Sequence, residues 1–181
     1  MKAKILLQWT VCVAIVLLSF SCQSDSNPLA PELSYQFAMF FLADSNLSFS
    51  DIETIAIQDI SLLEIPFLTH EDIDTFTVMY LENNPIRGYE LVLKDTLGSA
   101  FATDVRPFVL VLRGTRYCIA EYWPNFMDTF PGSILMYRVF PNRYHLIPTD
   151  ESGKEKLRNP EIIETLEKVG LPIVYRNIGS S

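Results

Sequence analysis

Histidine is nearly absent from this chain of 181 residues. Only His70 and His145 occur, with no His-x-x-x-His spacing that would hold a metal ion from one helix. Cysteine is scarce as well, and Cys12, Cys22 and Cys118 offer no Cys-x-x-Cys pair. Seven glycines leave no phosphate-cradling loop, no dinucleotide fingerprint and no Gly-x-Ser-x-Gly nucleophile elbow, so no cofactor is expected. Positive charge is the other shortage. Fourteen Lys and Arg face 22 Asp and Glu, and the net charge of −8 repels phosphate backbones and anionic headgroups, which excludes nucleic acid as a partner. A membrane-spanning helix needs about 20 apolar residues. The apolar run Ile5 to Leu18 is shorter than that and is interrupted by Gln8 and Thr10.

What the chain does have begins at its N-terminus. Lys2 and Lys4 precede the apolar run and Ser19-Phe20-Ser21-Cys22 follows it, the layout of a secretory signal peptide. The cysteine at the cut makes this segment resemble the bacterial lipoprotein signal, in which a peptidase cleaves before a cysteine whose thiol carries diacylglycerol. Ser21 fits that pattern; Ser19 stands where the family prefers leucine, and Leu18 lies one position further back. The resemblance implies that residues 1–21 are removed and that Cys22 becomes a lipidated, palmitate-type membrane anchor. Each buried methylene contributes about 0.8 kcal/mol, so two or three acyl chains suffice for stable attachment. In the family's sorting rule an aspartate after the cysteine retains the protein at the inner membrane, so Gln23 points to the outer membrane. Losing Lys2 and Lys4 takes the net charge from −8 to −10, which leaves attachment to the lipid. Residues 22–33 comprise the anchor and a polar, proline-punctuated tether, whose nine residues from Gln23 to Pro31 reach at most ~30 Å.

From Ser34 the composition becomes that of a packed domain. Tyr35 to Leu42 is an aromatic-rich run of strand length, and Thr54 to Ile57 reads as a second, shorter strand. Ser61 to Phe67 is irregular around Pro66. Thr69 caps a short helix start with Asp72 three residues on, and Thr75 to Leu81 returns to β composition. Glu82 to Gly88 reads as a turn cluster before a strand over Tyr89 to Lys94, and Leu97, Ala100 and Phe101 place a short helix within Thr96 to Asp104. Pro107 to Leu112 and Thr115 to Trp123, joined by Arg113-Gly114, form a hairpin, with Phe108 to Leu112 covered on both faces. Pro124 to Ser133 reads as a loop, Ile134 to Phe140 as a strand, His145 to Ile147 as a further strand, and Thr149 to Lys156 as a polar stretch. Asn159, Pro160 and Gly170 punctuate a final helix with an apolar face of Ile162, Ile163, Leu166 and Val169. Leu171 to Tyr175 returns as an edge strand. The expected fold is α+β: a single domain over 34–176 with a mostly antiparallel sheet, a few short helices and the C-terminal helix packed on one face, and a tail that frays over 177–181.

Among residues that could carry chemistry, Cys118 is the one cysteine outside the leader and the anchor. Its setting in Tyr117-Cys118-Ile119-Ala120 is a strand interior, where free cysteine acts as a small hydrophobe. His70 and His145 read as polar residues at a helix start and a strand end. Glu71, Asp72 and Asp74 crowd one short element, whereas a glycosidase needs two carboxyl groups facing each other across a cleft. The aromatic stretch is more suggestive. Trp123, Phe126, Met127 and Phe130 lie in or beside the 124–133 loop, and aromatics on surface loops mark partner contacts.

Residues 62 to 123, with Leu68-Thr69-His70-Glu71-Asp72-Ile73, a strand, the Thr96 to Asp104 segment and Pro107 to Leu112, are similar to the periplasmic head region of the D component of the bacterial protein translocase. That resemblance implies a βαββ-type module; the glycine-rich segment and membrane helices of that family are absent here, so it implies no transport role. The expected function is therefore a lipid-anchored cell-envelope protein acting as a non-enzymatic binding or interaction module, with an envelope protein as partner. The rival expectations are a small envelope hydrolase using Cys118 or an acidic pair, and a carrier of a small apolar ligand.

Overall fold

The computed structural model describes residues 34–81, 84–95, 105–124 and 132–179. Cys22, the helix expected within 96–104, and Phe126, Met127 and Phe130 lie outside these residues.

Nine strands among the described residues form one curled sheet. They are β1 (Phe37–Phe41), β2 (Leu68–Thr69), β3 (Ile73–Leu81), β4 (Asn84–Leu93), β5 (Arg106–Leu112), β6 (Thr115–Trp123), β7 (Ile134–Phe140), β8 (Arg143–Pro148) and β9 (Ile173–Asn177). Their order across the sheet is β2-β1-β5-β6-β7-β8-β4-β3-β9. Two pairings, β6 with β7 and β3 with β9, are parallel, and the others are antiparallel. The helical elements are a single turn α1 (Phe49–Ile52), α2 (Glu151–Leu157) and α3 (Glu161–Lys168). The class is α+β, dominated by the sheet.

Strand alternation divides the apolar residues between two faces. Phe37, Met39 and Phe41 of β1 join Phe108, Leu110 and Leu112 of β5 and Cys118, Ala120 and Tyr122 of β6 in the main core, which Leu157 of α2 and Ile162 and Leu166 of α3 close over. Ala38, Phe40, Val109 and Val111 point the other way, into a smaller core capped by Phe49, Ile52 and Ile60. This two-sided burial is why 108–112 is a continuous apolar run. The hairpin turn is Arg113-Gly114, where both residues take positive φ, 49° and 72°, as a two-residue turn between right-twisted strands requires.

Several expectations needed correction. Thr54 to Ile57 is not a strand: it runs through a turn into a short 3-10 segment at Ile57–Asp59, where Arg116 Nη1 donates to the carbonyls of Ile57 and Gln58, at 3.0 and 3.1 Å, and of Ile60. An arginine from a neighbouring strand thus satisfies backbone groups that a ladder would otherwise take. The turn cluster over 82–88 is narrower than its composition suggests, because β4 already begins at Asn84. The polar stretch before Lys156 is helix α2, capped by Asp150, whose Oδ1 accepts from Gly153 N at 2.7 Å. Asn177 pairs with Tyr80, and Ile178 N donates to Tyr80 O at 2.8 Å, which carries the sheet past the point where the tail was expected to fray.

Candidate functional site

Along β6, Cys118, Ala120 and Tyr122 face the main core, so Ile119, Glu121 and Trp123 face the opposite side. At the end of that side the 45–50 segment folds back over the sheet. The segment is shaped by local side-chain hydrogen bonds: Asn46 N donates to Asp44 Oδ1 at 2.9 Å, and Ser48 N donates to Asp51 Oδ2 at 2.9 Å at the start of α1. Between segment and sheet lies a cleft of about 360 Å³. Ser45, Asn46, Leu47, Ser48, Phe49 and Ser50 line it from that segment, and Val105, just before β5, Pro107 of β5, and Glu121 and Trp123 of β6 line it from the sheet.

Glu121 is the unusual member. It is 3 % exposed, a buried carboxyl group near the C-terminal end of β6. Burial pushes its pKa up; hydrogen bonds from the Trp123 indole N–H, at 3.2 Å to Oε2, and from the Gly132 backbone N–H pull the other way and do not cancel the desolvation. Gly132 leaves little room for a side chain at that contact. A Cβ there would stand 3.0 Å from the Phe49 ring and 3.2 Å from Glu121 Oε2. The cleft is therefore floored by a fixed carboxyl and an aromatic ring, with Trp123 half-buried beside them.

A second polar cluster lies on the same face but across the sheet. Glu90 on β4 is 6 % exposed, and its Oε2 accepts from His145 Nε2 at 3.1 Å and from Arg176 Nη2 at 3.2 Å. Tyr137 Oη lies 3.0 Å from His145 Nδ1. Register explains the meeting, since Glu90 is paired with His145 and His145 with Tyr137 on adjacent strands. Burial would raise the Glu90 pKa, but the His145 and Arg176 hydrogen bonds outweigh it and hold the carboxyl below its ordinary range. The cluster pins β9 and β8 to β4, and its polar atoms are largely occupied with one another.

A wider cleft, about 610 Å³, lies beside His70, Glu71, Asp74, Lys94 and Gly170. Asp72 is used locally, accepting from Thr69 N at 2.7 Å, and Lys94 Nζ donates to Glu71 O at 2.6 Å. His70 Nδ1 is buried without a partner. Among the described residues no three of His, Cys, Asp and Glu converge in a way that could hold a metal ion. Cys118 is 2 % exposed and its thiol is pushed up to about 12 by burial, an unreactive setting.

Of the residues singled out from sequence, Trp123 lines the smaller cleft. His145 sits within a strand ladder rather than at a strand end. Glu121 and Glu90 went unnoticed, although each carries a visible signal: a lone acid inside an apolar and aromatic strand, where only a specific partner set makes burial tolerable. Among the described residues no helix is long and apolar enough to cross a membrane. Compared with known proteins, the chain matches no protein family, no curated protein and no solved structure.

Proposed function

We propose that this protein is a lipid-anchored component of the cell envelope, held at the outer membrane through Cys22, that acts as a non-enzymatic binding module and contacts its partner around Trp123. The observation that carries the binding reading is the cleft at the end of β6, where a half-buried tryptophan and a fixed buried carboxyl converge. Concave sites with an aromatic lining and a few fixed polar groups are how proteins hold small ligands and protruding partner groups. The anchoring half rests on the leader and the cysteine at its end.

Two measurements on the full chain test the two halves separately. Cys22→Ser should release the protein from membranes in fractionation without changing its melting temperature; a variant that still pellets after a high-salt wash refutes the lipid anchor. Trp123→Ala should remove crosslinked partners captured in intact envelopes while the domain stays folded. Capture equal to that of the unmodified chain would refute Trp123 as the contact.

A further inference from the structure

We infer that the cleft at Trp123 is a site for a neutral saccharide, an inference that rests on the binding-module reading and names its ligand class. The lining is two-sided in composition. The 45–50 segment brings Ser45, Asn46, Ser48 and Ser50, while Val105, Pro107 of β5 and the Trp123 indole of β6 form the other side. Ser48 Oγ donates to Asp51 Oδ2 and is hydrogen-bonded to Ser50 Oγ at 2.9 Å, and Asn46 Nδ2 donates to Asp44 Oδ1 at 3.2 Å. These bonds fix the row, so the remaining oxygen lone pairs and the Ser45 hydroxyl are what a ligand meets. A pyranose has the same two-sided character, with hydroxyls around its edge and C–H groups on its faces. An aromatic ring covers such an apolar face, and hydroxyl and amide groups exchange hydrogen bonds with the edge.

Charge narrows the choice further. Among the described residues no Lys, Arg or His lines the cleft, so an anionic ligand would meet no counter-charge there and would face Glu121. A cation would need that carboxyl as its partner, but Glu121 is 3 % exposed and its carboxyl is turned to the Trp123 indole N–H and the Gly132 N–H, so little of it reaches the cleft. An uncharged ligand rich in hydroxyls meets neither obstacle. The volume of about 360 Å³ is at the small end of ligand sites, suited to a short stretch of a chain rather than to a large cofactor.

The sequence supplies its own reporter. The chain holds two tryptophans, Trp9 and Trp123, and Trp9 lies in the leader, so in the chain cleaved before Cys22 the indole emission comes from Trp123 alone. The full chain carrying Trp9→Phe serves if the leader is retained. Neutral hexasaccharides of β-1,4-glucose, β-1,4-N-acetylglucosamine and α-1,4-glucose should be titrated one at a time, with tetramethylammonium and a hexauronate as charged comparisons. The expected result is a saturable emission change with at least one neutral hexasaccharide, with a dissociation constant of about 1 mM or tighter. Val105→Arg should weaken it at least about tenfold, because Val105 is 45 % exposed and its enlargement crowds the cleft without entering the core. If that variant melts early, Trp123→Leu read by calorimetry replaces it, with the same loss expected. The inference is overturned if all three neutral hexasaccharides fail, if a charged comparison titrates instead, or if Val105→Arg binds as the unmodified chain does. Failure of the saccharides while envelope capture still depends on Trp123 removes the ligand class and leaves the binding module; loss of both dependences removes both.

Discussion

Leu110→Ala examines the core where sequence and structure agree most closely. Leu110 is 1 % exposed in the third strand of the sheet, paired with Met39 on β1 and Cys118 on β6, and all three side chains belong to the main core. The truncation removes about three methylene equivalents at about 0.8 kcal/mol each, roughly 2.4 kcal/mol before any cavity is counted. The cavity adds about 24 cal/mol for each Å³ that the surroundings fail to refill. Met39 is the neighbour best able to refill it, because an unbranched thioether adapts its rotamers. We therefore expect a loss of about 3 kcal/mol, which for a domain of this size lowers the melting temperature by about 6–12 °C. Urea melts of the full chain measure it, as a lower midpoint at an unchanged slope. Val174→Ala on the outer strand β9, where the side chain is 47 % exposed, is the control and should stay within about 0.5 kcal/mol of the unmodified protein. If Leu110→Ala also stays within about 0.5 kcal/mol, the two-sided burial of β5 is wrong.

Gly153→Ala should cost about 1–3 kcal/mol in the same assay, because an added Cβ would lie 1.9 Å from the Ser133 carbonyl oxygen and α2 would have to move off the sheet; the exposed neighbour Ser152→Ala should be nearly neutral, and equal melts for the two would refute the close approach. Glu90→Gln should destabilise by about 1–2 kcal/mol at neutral pH by leaving His145 and Arg176 without their charged acceptor. Because the folded protein holds the Glu90 pKa below the ordinary 4.5, the carboxylate's contribution is fully present above that value and is lost as pH falls through the folded pKa. The gap between the two proteins should therefore shrink on acidification, and a gap that is constant or that widens toward low pH would refute the role assigned to Glu90.

The local elements were legible because local chemistry decides them. Arg113-Gly114 between apolar runs specifies a tight hairpin; Thr69 with Asp72 specifies a cap, and the structure uses both, with Glu71 N donating to Thr69 Oγ1 at 3.2 Å. Ile162 and Leu166 announce the buried face of α3 by their spacing. The expectation of a leader rests on the same kind of local signal, since charge, apolar length and a terminal cysteine are properties of consecutive residues. Misreadings arose where a distant residue decides the outcome. Thr54 to Ile57 has strand composition, but the Arg116 guanidinium from β6 captures the carbonyls that follow it. The stretch Thr149 to Lys156 reads only as polar, and becomes α2 because Leu157 finds a place in the main core while Asp150 caps the start.

The site divides in the same way. Sequence alone brings out Trp123, as an aromatic at a strand end, and the absence of metal spacings and nucleophile motifs. Only the tertiary structure decides that Glu121 is buried beside it and that the 45–50 segment, more than 70 positions earlier in the chain, supplies the facing row of hydroxyls. Only register joins Glu90 to His145, 55 positions apart. Hydrophobic period and turn chemistry act over a few residues and can be read from the order of the chain. Buried charge is governed by which donors the fold brings within hydrogen-bond distance, and that depends on strand order, which residue order alone does not specify.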